Sequence, residues 1–232
     1  MKGSIWLIPV TLGGENYEDV IPAKVLEITR KLRFFIVEDV RSARRYLRLI
    51  DRKFPIDDSV FFELNEHTSG VDSSEYLKPV LDGNDIGLMS EAGLPGIADP
   101  GAKIIDAAHR NDIAVKPLSG PSSIIMALIS SGLNGQNFTF NGYLPVKPGE
   151  RAASLKQLER RAHEGYAQIF METPYRNQSM LESILSSCDK DTLLCIAADI
   201  TLPGEFIRTR KLAEWKSEIP ELKNRQVIFI IQ

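Results

Sequence analysis

The sequence contains little cysteine, little histidine and no long apolar run, and each shortage excludes a class of protein. Its 232 residues include two cysteines, Cys188 and Cys195, too few for a disulfide framework or a cysteine-based zinc site. The three histidines, His67, His109 and His163, have no second ligand at metal-binding spacing. We therefore expect neither a disulfide-stabilised scaffold nor a metal site.

Long hydrophobic segments are also missing. No apolar run approaches the roughly 18 residues that span a bilayer, so no membrane insertion is predicted. The stretch from Met1 to Pro9 has one lysine and an apolar run too short for a signal-peptide core, which favours a first strand. The two cysteines, with neither a disulfide framework nor a zinc site indicated, favour a reducing cytoplasm. The formal net charge of -3 argues against a surface that binds nucleic acid everywhere, but it allows a local basic patch.

What is present is an alternation of short runs rich in Ile, Val and Phe with longer segments of helical period. This pattern predicts an α/β fold with mostly parallel sheets. The predicted strands are Ser4 to Val10, Phe34 to Glu38, Val60 to Leu64, Asp85 to Met89, Ile113 to Lys116, Phe138 to Asn141, Ala167 to Glu172, Thr192 to Ala197 and Arg225 to Ile230. The predicted helices are Tyr17 to Lys31, Val40 to Lys53, Ser73 to Leu81, Pro100 to Asn111, Ser122 to Ser131, Gly149 to His163 and Arg176 to Ser187. The segment from Pro117 to Pro121 interrupts the pattern and favours a boundary between two α/β domains, 1–118 and 119–232.

The densest cluster of unusual residues is the loop from Ser90 to Gly101, directly after a predicted strand. Ligands of open α/β sheets bind beyond the carboxyl ends of strands, and glycines there let backbone amides approach a ligand. Glu91 adds a carboxylate, and Asp99 is placed to cap the next helix. We interpret the loop as a ligand site, with a rigid connector as the alternative.

Two further loops follow predicted strands. The loop from Pro9 to Gly14 lacks both the Gly-Lys-Ser/Thr of a Walker A loop and the three spaced glycines of a dinucleotide fingerprint, which disfavours a nucleotide-phosphate cradle. The loop from Ser119 to Ser123 supplies hydroxyls at a helix start, which suits a polar ligand and plain helix capping equally.

The order of these loops is more specific than any one of them. Six segments carry it: Ile8-Pro9 through Leu12-Gly13, Glu38-Asp39-Val40-Arg41, Ser90 to Gly101, Gly120-Pro121-Ser122-Ser123, Phe140-Asn141-Gly142-Tyr143-Leu144-Pro145 and Glu172-Thr173-Pro174-Tyr175-Arg176. From Ile5 to about Lys216 the chain resembles the class III S-adenosylmethionine methyltransferases of the tetrapyrrole-methylase superfamily. The Glu38 and Glu172 segments resemble its small-subunit ribosomal RNA 2′-O-ribose methyltransferase branch in particular.

The resemblance implies two α/β domains with a cofactor cleft between them, usually in a homodimer, and S-adenosylmethionine as the cofactor. Carried over by position, the residues that it assigns to cofactor contact are Leu12, Glu91, Ala92, Gly93, Leu94, Ser122, Ser123 and Thr173. The acceptor that it implies is ribosomal RNA.

The sequence also departs from this branch. Gly14 stands where the branch usually has Asn, Leu64 replaces a histidine, and the stretch from Ala198 to Leu202 lacks two basic residues of the branch pattern. The small C-terminal extension of many ribosomal RNA enzymes is not expected here. Two alternatives therefore stay open: a tetrapyrrole C-methyltransferase, and an inactive, dimeric S-adenosylmethionine-binding module.

Three carboxylates at predicted strand ends are candidates for catalysis. Methyl transfer depends mainly on in-line placement, but a ribose hydroxyl must still lose its proton. We assign Glu38, Asp39 and Glu172 as candidate general bases or positioning groups. Each can equally cap the helix that follows it.

The RNA-binding candidates lie close to those carboxylates in the sequence. The predicted helix after Glu38 places five arginines on one face, Arg41, Arg44, Arg45, Arg48 and Arg52, of which Arg41 and Arg44 are assigned to substrate binding. A solvated face and ion pairs to a dimer partner are the alternatives. Tyr175 and Arg176 are assigned to the acceptor, with Tyr175 stacking on a base, and the alternative is that Pro174 merely opens a helix.

Overall fold

The computed structural model describes residues 2–65 and 73–232, and the chain divides into two compact units, Met1–Ser122 and Ser123–Gln232. The division falls shortly after the boundary that the sequence predicts between residues 118 and 119, and that domain assignment stays a prediction. Within the described ranges, none of the helices combines the length and the apolar character needed to cross a bilayer.

The first unit is a parallel sheet with helices between its strands. Its strands are β1 (Ser4–Leu7), β2 (Phe34–Val37), β3 (Val60–Glu63), β4 (Ile86–Met89) and β5 (Ala114–Pro117). Its helices are α1 (Ala23–Lys31), α2 (Val40–Ile50), α3 (Ser73–Leu81) and α4 (Gly101–Arg110). The strand order is β3-β2-β4-β1-β5, and every pairing is parallel. The connections that leave β1 and β4 run in opposite directions across the sheet, which makes the ends of these two neighbours a switch point where ligands bind in such folds.

Apolar side chains cover both faces of this sheet. Phe35 and Ile36 are adjacent in β2 and fully buried, and because successive strand residues point to opposite faces, they belong to two different core clusters. Burial on both faces explains why the inner strands β2 and β4 are continuous apolar runs rather than alternating ones, whereas the edge strand β5 is mostly exposed and contains Lys116. Fold class α/β is confirmed by this arrangement.

One predicted helix of the first unit begins in the wrong place. The sequence predicts a helix from Tyr17 to Lys31, whereas Tyr17–Asp19 forms a separate 3-10 turn and α1 starts at Ala23. Pro22 has an extended ψ of 141° and precedes the helix as its cap residue. Proline has no N–H to join a helix that starts earlier, so Pro22 separates the two elements.

The second unit contains a mixed sheet. Its strands are β6 (Phe138–Tyr143), β7 (Ala167–Met171), β8 (Leu193–Ala198), β9 (Phe206–Lys211) and β10 (Val227–Ile231). Its helices are α5 (Ser123–Ser131), α6 (Pro148–His163), α7 (Asn177–Ser187) and α8 (Leu212–Trp215). The order is β6-β7-β10-β8-β9, in which β6 and β7 are parallel and the other neighbours antiparallel. The expectation of mostly parallel strands therefore holds for the first sheet, and the second is corrected to mixed.

Candidate functional site

The loops after β1 and β4 contact each other in the first unit. The backbone N–H of Val10 donates to the Gly93 carbonyl at 2.9 Å, as an isolated antiparallel bridge. Gly93 has a φ of +71°, and a Cβ there would lie 3.1 Å from Leu12 Cδ2 and 3.3 Å from the Pro121 carbonyl oxygen. Glycine is therefore required at position 93 both by the backbone conformation and by the close approach of two other loops.

The loop after β5 joins the same assembly. A Cβ on Gly120 would lie 2.2 Å from Pro9 Cβ and 2.5 Å from Pro9 Cγ, so only glycine lets the two loops pack this closely. The three loops that the sequence singles out, after β1, β4 and β5, thus meet at one place. We call this contact of Pro9, Leu12, Gly93, Gly120 and Pro121 the loop junction.

A cleft of about 450 Å³ opens beside the loop junction, between the loops after β1 and β4 and one side of α2. Its described lining is Val10, Thr11, Gly13, Gly14, Glu15, Ser42, Ala43, Arg45, Tyr46, Leu49, Met89, Ser90 and Glu91. Two carboxylates, Glu15 and Glu91, and one guanidinium, Arg45, are therefore available to a ligand there. The cleft falls within the roughly 300–1,000 Å³ of small-molecule sites.

The carboxylate of Glu38 supports the loop after β4. Val37 pairs with Met89 in the sheet, so Glu38 and Ser90 follow at the ends of neighbouring strands. The backbone N–H of Glu91 donates to Glu38 Oε2 at 3.3 Å. Glu38 is thus held next to the first residues of the loop that lines the cleft.

Asp39 is a helix cap. Its Oδ1 accepts a hydrogen bond from the Ser42 backbone N–H at 2.6 Å, at the first turn of α2. The hydrogen bonds from the Ser42 side chain and backbone hold the pKa of Asp39 below its usual value. This is the capping alternative that the sequence left open for Asp39.

Asp99 closes the long loop after β4. Its carboxylate accepts hydrogen bonds from the Gly96 N–H at 2.8 Å and the Gly101 N–H at 2.7 Å, and burial raises its pKa. Helix α4 begins at Gly101 with Pro100 as its cap residue, one position later than the sequence predicts, so Asp99 binds the first N–H of the helix from the position before the cap.

The remaining acidic candidate, Glu172, lies in the second unit after β7. Its side chain is fully buried and accepts from the Thr173 N–H at 2.7 Å and from Arg176 Nη2 at 2.6 Å. That hydrogen bond raises the pKa of Arg176. The guanidinium of Arg176 lies 5.2 Å from the ring centroid of Tyr175, whose side chain is 66% exposed. Glu172 thus orients an arginine beneath an exposed aromatic ring.

The residues assigned to the cofactor lie in several places. Glu91 lines the cleft, Leu12 and Gly93 belong to the loop junction, and Ala92 and Leu94 flank Gly93 in its loop. In the two compact units, Ser122 ends the first, and Ser123 and Thr173 belong to the second, at the start of α5 and after β7.

Sequence reasoning missed one side of α2. Arg45, Ser42, Tyr46 and Leu49 line the cleft, whereas the sequence assigned Arg41 and Arg44, which lie outside that lining. The spacing i, i+3, i+4 and i+7 from Ser42 is that of one helix face and was the available signal. The predicted run of five arginines is also shortened, because α2 ends at Ile50 and Arg52 lies in the following turn.

Metal-binding side chains do not cluster within residues 2–65 and 73–232. Among these residues, no group of three or more His, Cys, Asp or Glu side chains could hold a metal ion. His67 lies outside the described residues.

Comparisons with known proteins point to one family. The family model described as Tetrapyrrole (Corrin/Porphyrin) Methylases matches residues 13–216. Proteins named Ribosomal RNA small subunit methyltransferase I are similar along almost the whole chain. That of Streptococcus pyogenes serotype M6 is 30% identical over 220 residues, 95% of this chain and 72% of the relative. That of Vibrio cholerae is 30% identical and covers 96% of this chain and 73% of the relative. That of Xylella fastidiosa is 28% identical and covers 99% of this chain and 81% of the relative.

A solved structure has the same fold. The crystal structure of the methyltransferase CobJ aligns with a TM-score of 0.64 at 17% identity, covering 99% of this chain and 93% of that one. The resemblance expected from the sequence is thereby confirmed. Because the family model matches most of its length and the relatives that match 95% or more of it are named methyltransferases, this chain belongs to the tetrapyrrole methylase family and is a methyltransferase.

Proposed function

We propose that the protein transfers the methyl group of S-adenosylmethionine to a ribose 2′-hydroxyl of ribosomal RNA. The single observation that carries the proposal is the loop junction, where the loops after β1, β4 and β5 meet beside a cleft at the carboxyl ends of the strands. The acceptor class is supported by the relatives named Ribosomal RNA small subunit methyltransferase I, which match 95% or more of the chain.

The residues present fit the proposed cofactor. S-adenosylmethionine carries two cationic groups, a sulfonium and an ammonium, and one carboxylate. The cleft offers the carboxylates of Glu15 and Glu91 and the guanidinium of Arg45, and the requirement for glycine at Gly93 keeps side chains away from the backbone of the loop. Glu91 and the backbone around Gly93 would hold the cofactor, and the contacts assigned from sequence to Leu12, Ala92, Leu94, Ser122, Ser123 and Thr173 belong to the same proposal.

The cofactor supplies an activated methyl group on a sulfonium, so the residues of the chain have to position the acceptor hydroxyl and remove its proton. Among the three candidate carboxylates, Asp39 is a poor base because its hydrogen bonds to Ser42 lower its pKa. Glu172 is already engaged by Arg176 and Thr173. Glu38 lies beside Ser90 and Glu91, and we assign it the role of general base or positioning group.

In the second unit, the exposed ring of Tyr175 is suited to stack on a nucleobase, because base stacking on an aromatic side chain needs an accessible face. Arg176, fixed by Glu172, packs on one face of that ring. We propose that both contact the acceptor RNA.

The experiment incubates the protein with tritiated S-adenosylmethionine and undermethylated small ribosomal subunits, and then maps the label. A 2′-O-methyl group leaves a dinucleotide resistant to alkaline hydrolysis, which identifies the ribose product. The expected result is one labelled nucleotide of this kind. Label in precursor tetrapyrroles but not in RNA would replace the proposal with C-methylation, and cofactor binding without any transfer would indicate an inactive binding module.

Cofactor binding is tested separately by calorimetry on E91Q, with E182Q as the control. Glu182 is an exposed carboxylate on α7 in the second unit. If Glu91 holds a cationic group, E91Q weakens binding by about 1–3 kcal/mol and E182Q leaves it unchanged. Equal affinities would remove Glu91 from the site.

The expected cytoplasmic location and homodimer remain predictions.

A further inference from the structure

The exposed side of α2 carries four arginines. Arg41, Arg44, Arg45 and Arg48 are all exposed, and at 3.6 residues per turn they fall within an arc of about 100°. We call these four side chains the arginine face. Arg45 also lines the cleft, so the arginine face begins at the cleft proposed for the cofactor and continues away from it along the helix.

The arginine face has no ion-pair partners within the part of the chain that the structure describes. All nine ion pairs found there involve other side chains. The carboxylate of Asp39 interacts electrostatically with Arg41, but it accepts its hydrogen bond from Ser42. Arg44 lies 5.2 Å from the Phe61 ring, and Arg48 donates to the Arg52 carbonyl at 2.8 Å. Aromatic and backbone contacts thus orient two of the four guanidiniums while leaving their charge uncompensated.

An ordinary solvated helix mixes charges of both signs. Helix α2 has no acidic residue between Val40 and Ile50, whereas α6 shows the usual pattern, with Lys156 paired to Glu159 at 3.0 Å. Like charges three and four residues apart destabilise a helix. The whole chain has more acidic than basic residues, 31 against 28, so this concentration of positive charge is local.

We propose that the arginine face is the surface along which the phosphate backbone of single-stranded RNA docks, beside the cleft proposed for the cofactor. The inference rests on the proposed function for the identity of the acceptor. The four Cα atoms span about 10 Å along the helix, enough for phosphates on one side of the acceptor nucleotide. Guanidinium groups form bidentate hydrogen bonds to phosphate oxygens, and such contacts fix the register of the strand independently of its sequence.

A lipid surface fits this helix less well. Membrane-surface helices insert an apolar face among the acyl chains. The apolar face of α2, formed by Ala43, Tyr46, Leu47 and Ile50, is buried in the core of the first unit. The helix can therefore offer charge to a polyanion but no apolar face to a membrane.

The test compares R44Q/R48Q with the matched control R160Q/R161Q. Arg160 and Arg161 are exposed on the last turn of α6, so both variants lose two exposed arginines. Affinity for a fluorescein-labelled single-stranded RNA is measured by anisotropy at several salt concentrations. Each phosphate contact contributes about −0.7 to the slope of log K against log salt, so R44Q/R48Q should flatten the slope by about 1.4 and bind roughly 25-fold more weakly at 0.1 M salt. The control should match the wild type.

The charge-preserving variant R44K/R48K should keep the wild-type slope, which separates charge from packing on Phe61. Equal losses in R44Q/R48Q and R160Q/R161Q would overturn the proposal. Unchanged RNA affinity of R44Q/R48Q with an altered mass in sedimentation would also overturn it and would assign the arginines to a partner subunit. A third contrary result is that R44Q/R48Q loses binding to phosphatidylglycerol vesicles but keeps its binding to RNA. Anisotropy requires no methyl transfer, so failure of the proposed function and failure of the arginine face give different results.

Discussion

Replacement of Gly120 by alanine tests the loop junction directly. The new Cβ would lie 2.2 Å from Pro9 Cβ and 2.5 Å from Pro9 Cγ, well inside the distance of any van der Waals contact. The obstacle is a proline ring, which cannot rotate away, so the loops after β1 and β5 must separate. Overpacking of this kind costs about 1–3 kcal/mol, and the reduced freedom of the unfolded chain returns about 0.4–1 kcal/mol. We expect a net loss of about 1–2 kcal/mol.

The assay is denaturant unfolding of G120A, combined with calorimetric titration of S-adenosylmethionine. The matched control is G149A, because Gly149 lies in the first turn of α6 with no atom within 4 Å of the new Cβ. The control should be neutral or slightly stabilised, since alanine favours a helix over glycine. Weaker cofactor binding is expected for G120A alone. A G120A protein as stable as the wild type, with unchanged cofactor affinity, would refute the reasoning that this contact shapes the site.

Three further predictions concern buried or capping groups. D39A should lower the free energy of unfolding by about 1 kcal/mol, and D39N should lower it by little. Because the folded pKa of Asp39 is depressed, its capping contribution should be complete above the usual pKa of about 3.8. That contribution should disappear from the wild type as the pH falls below this value, but not from D39N. Burial raises the pKa of Cys188 to about 12 and raises that of Cys195, so neither thiol should react with a disulfide reagent at pH 8 until the protein is unfolded, and fast labelling of the native protein would contradict this. E172Q removes the charge that holds Arg176, and thermal unfolding should show a loss of about 1–3 kcal/mol that E182Q does not share.

The parallel sheet of the first unit was predictable because its inner strands β2 and β4 are buried on both faces. Continuous apolar runs such as Phe34–Val37 identify that kind of strand without knowledge of its neighbours. Strand β9, Phe206–Lys211, was missed because it is an edge strand that pairs only with β8, and three of its six residues are basic. Its conformation follows from that pairing rather than from a strong apolar pattern.

The loops of the candidate site were predictable from their glycines and prolines, whereas the side chains that line the cleft were less so. Glycines and prolines after strands pointed to the loops that contain Gly93 and Gly120, because few residues tolerate such close backbone contacts. Arg45 could be placed on a basic helix, but which arginine turns toward the cleft depends on how α2 packs on the sheet. The sequence offered capping as one of two roles for Asp39, and its hydrogen bond to the Ser42 N–H identifies it as a cap.

The position of β10 in the second sheet has a consequence for biosynthesis. The strand Val227–Ile231 lies between β7 and β8, although it is translated after both of them and after β9. All strands of the first unit are made before any strand of the second, so the first unit can fold while synthesis continues. Until β10 emerges from the ribosome, β7 and β8 each have an unpaired apolar edge in the middle of the future sheet. This interval, rather than the finished molecule, is when the nascent chain most needs protection from aggregation.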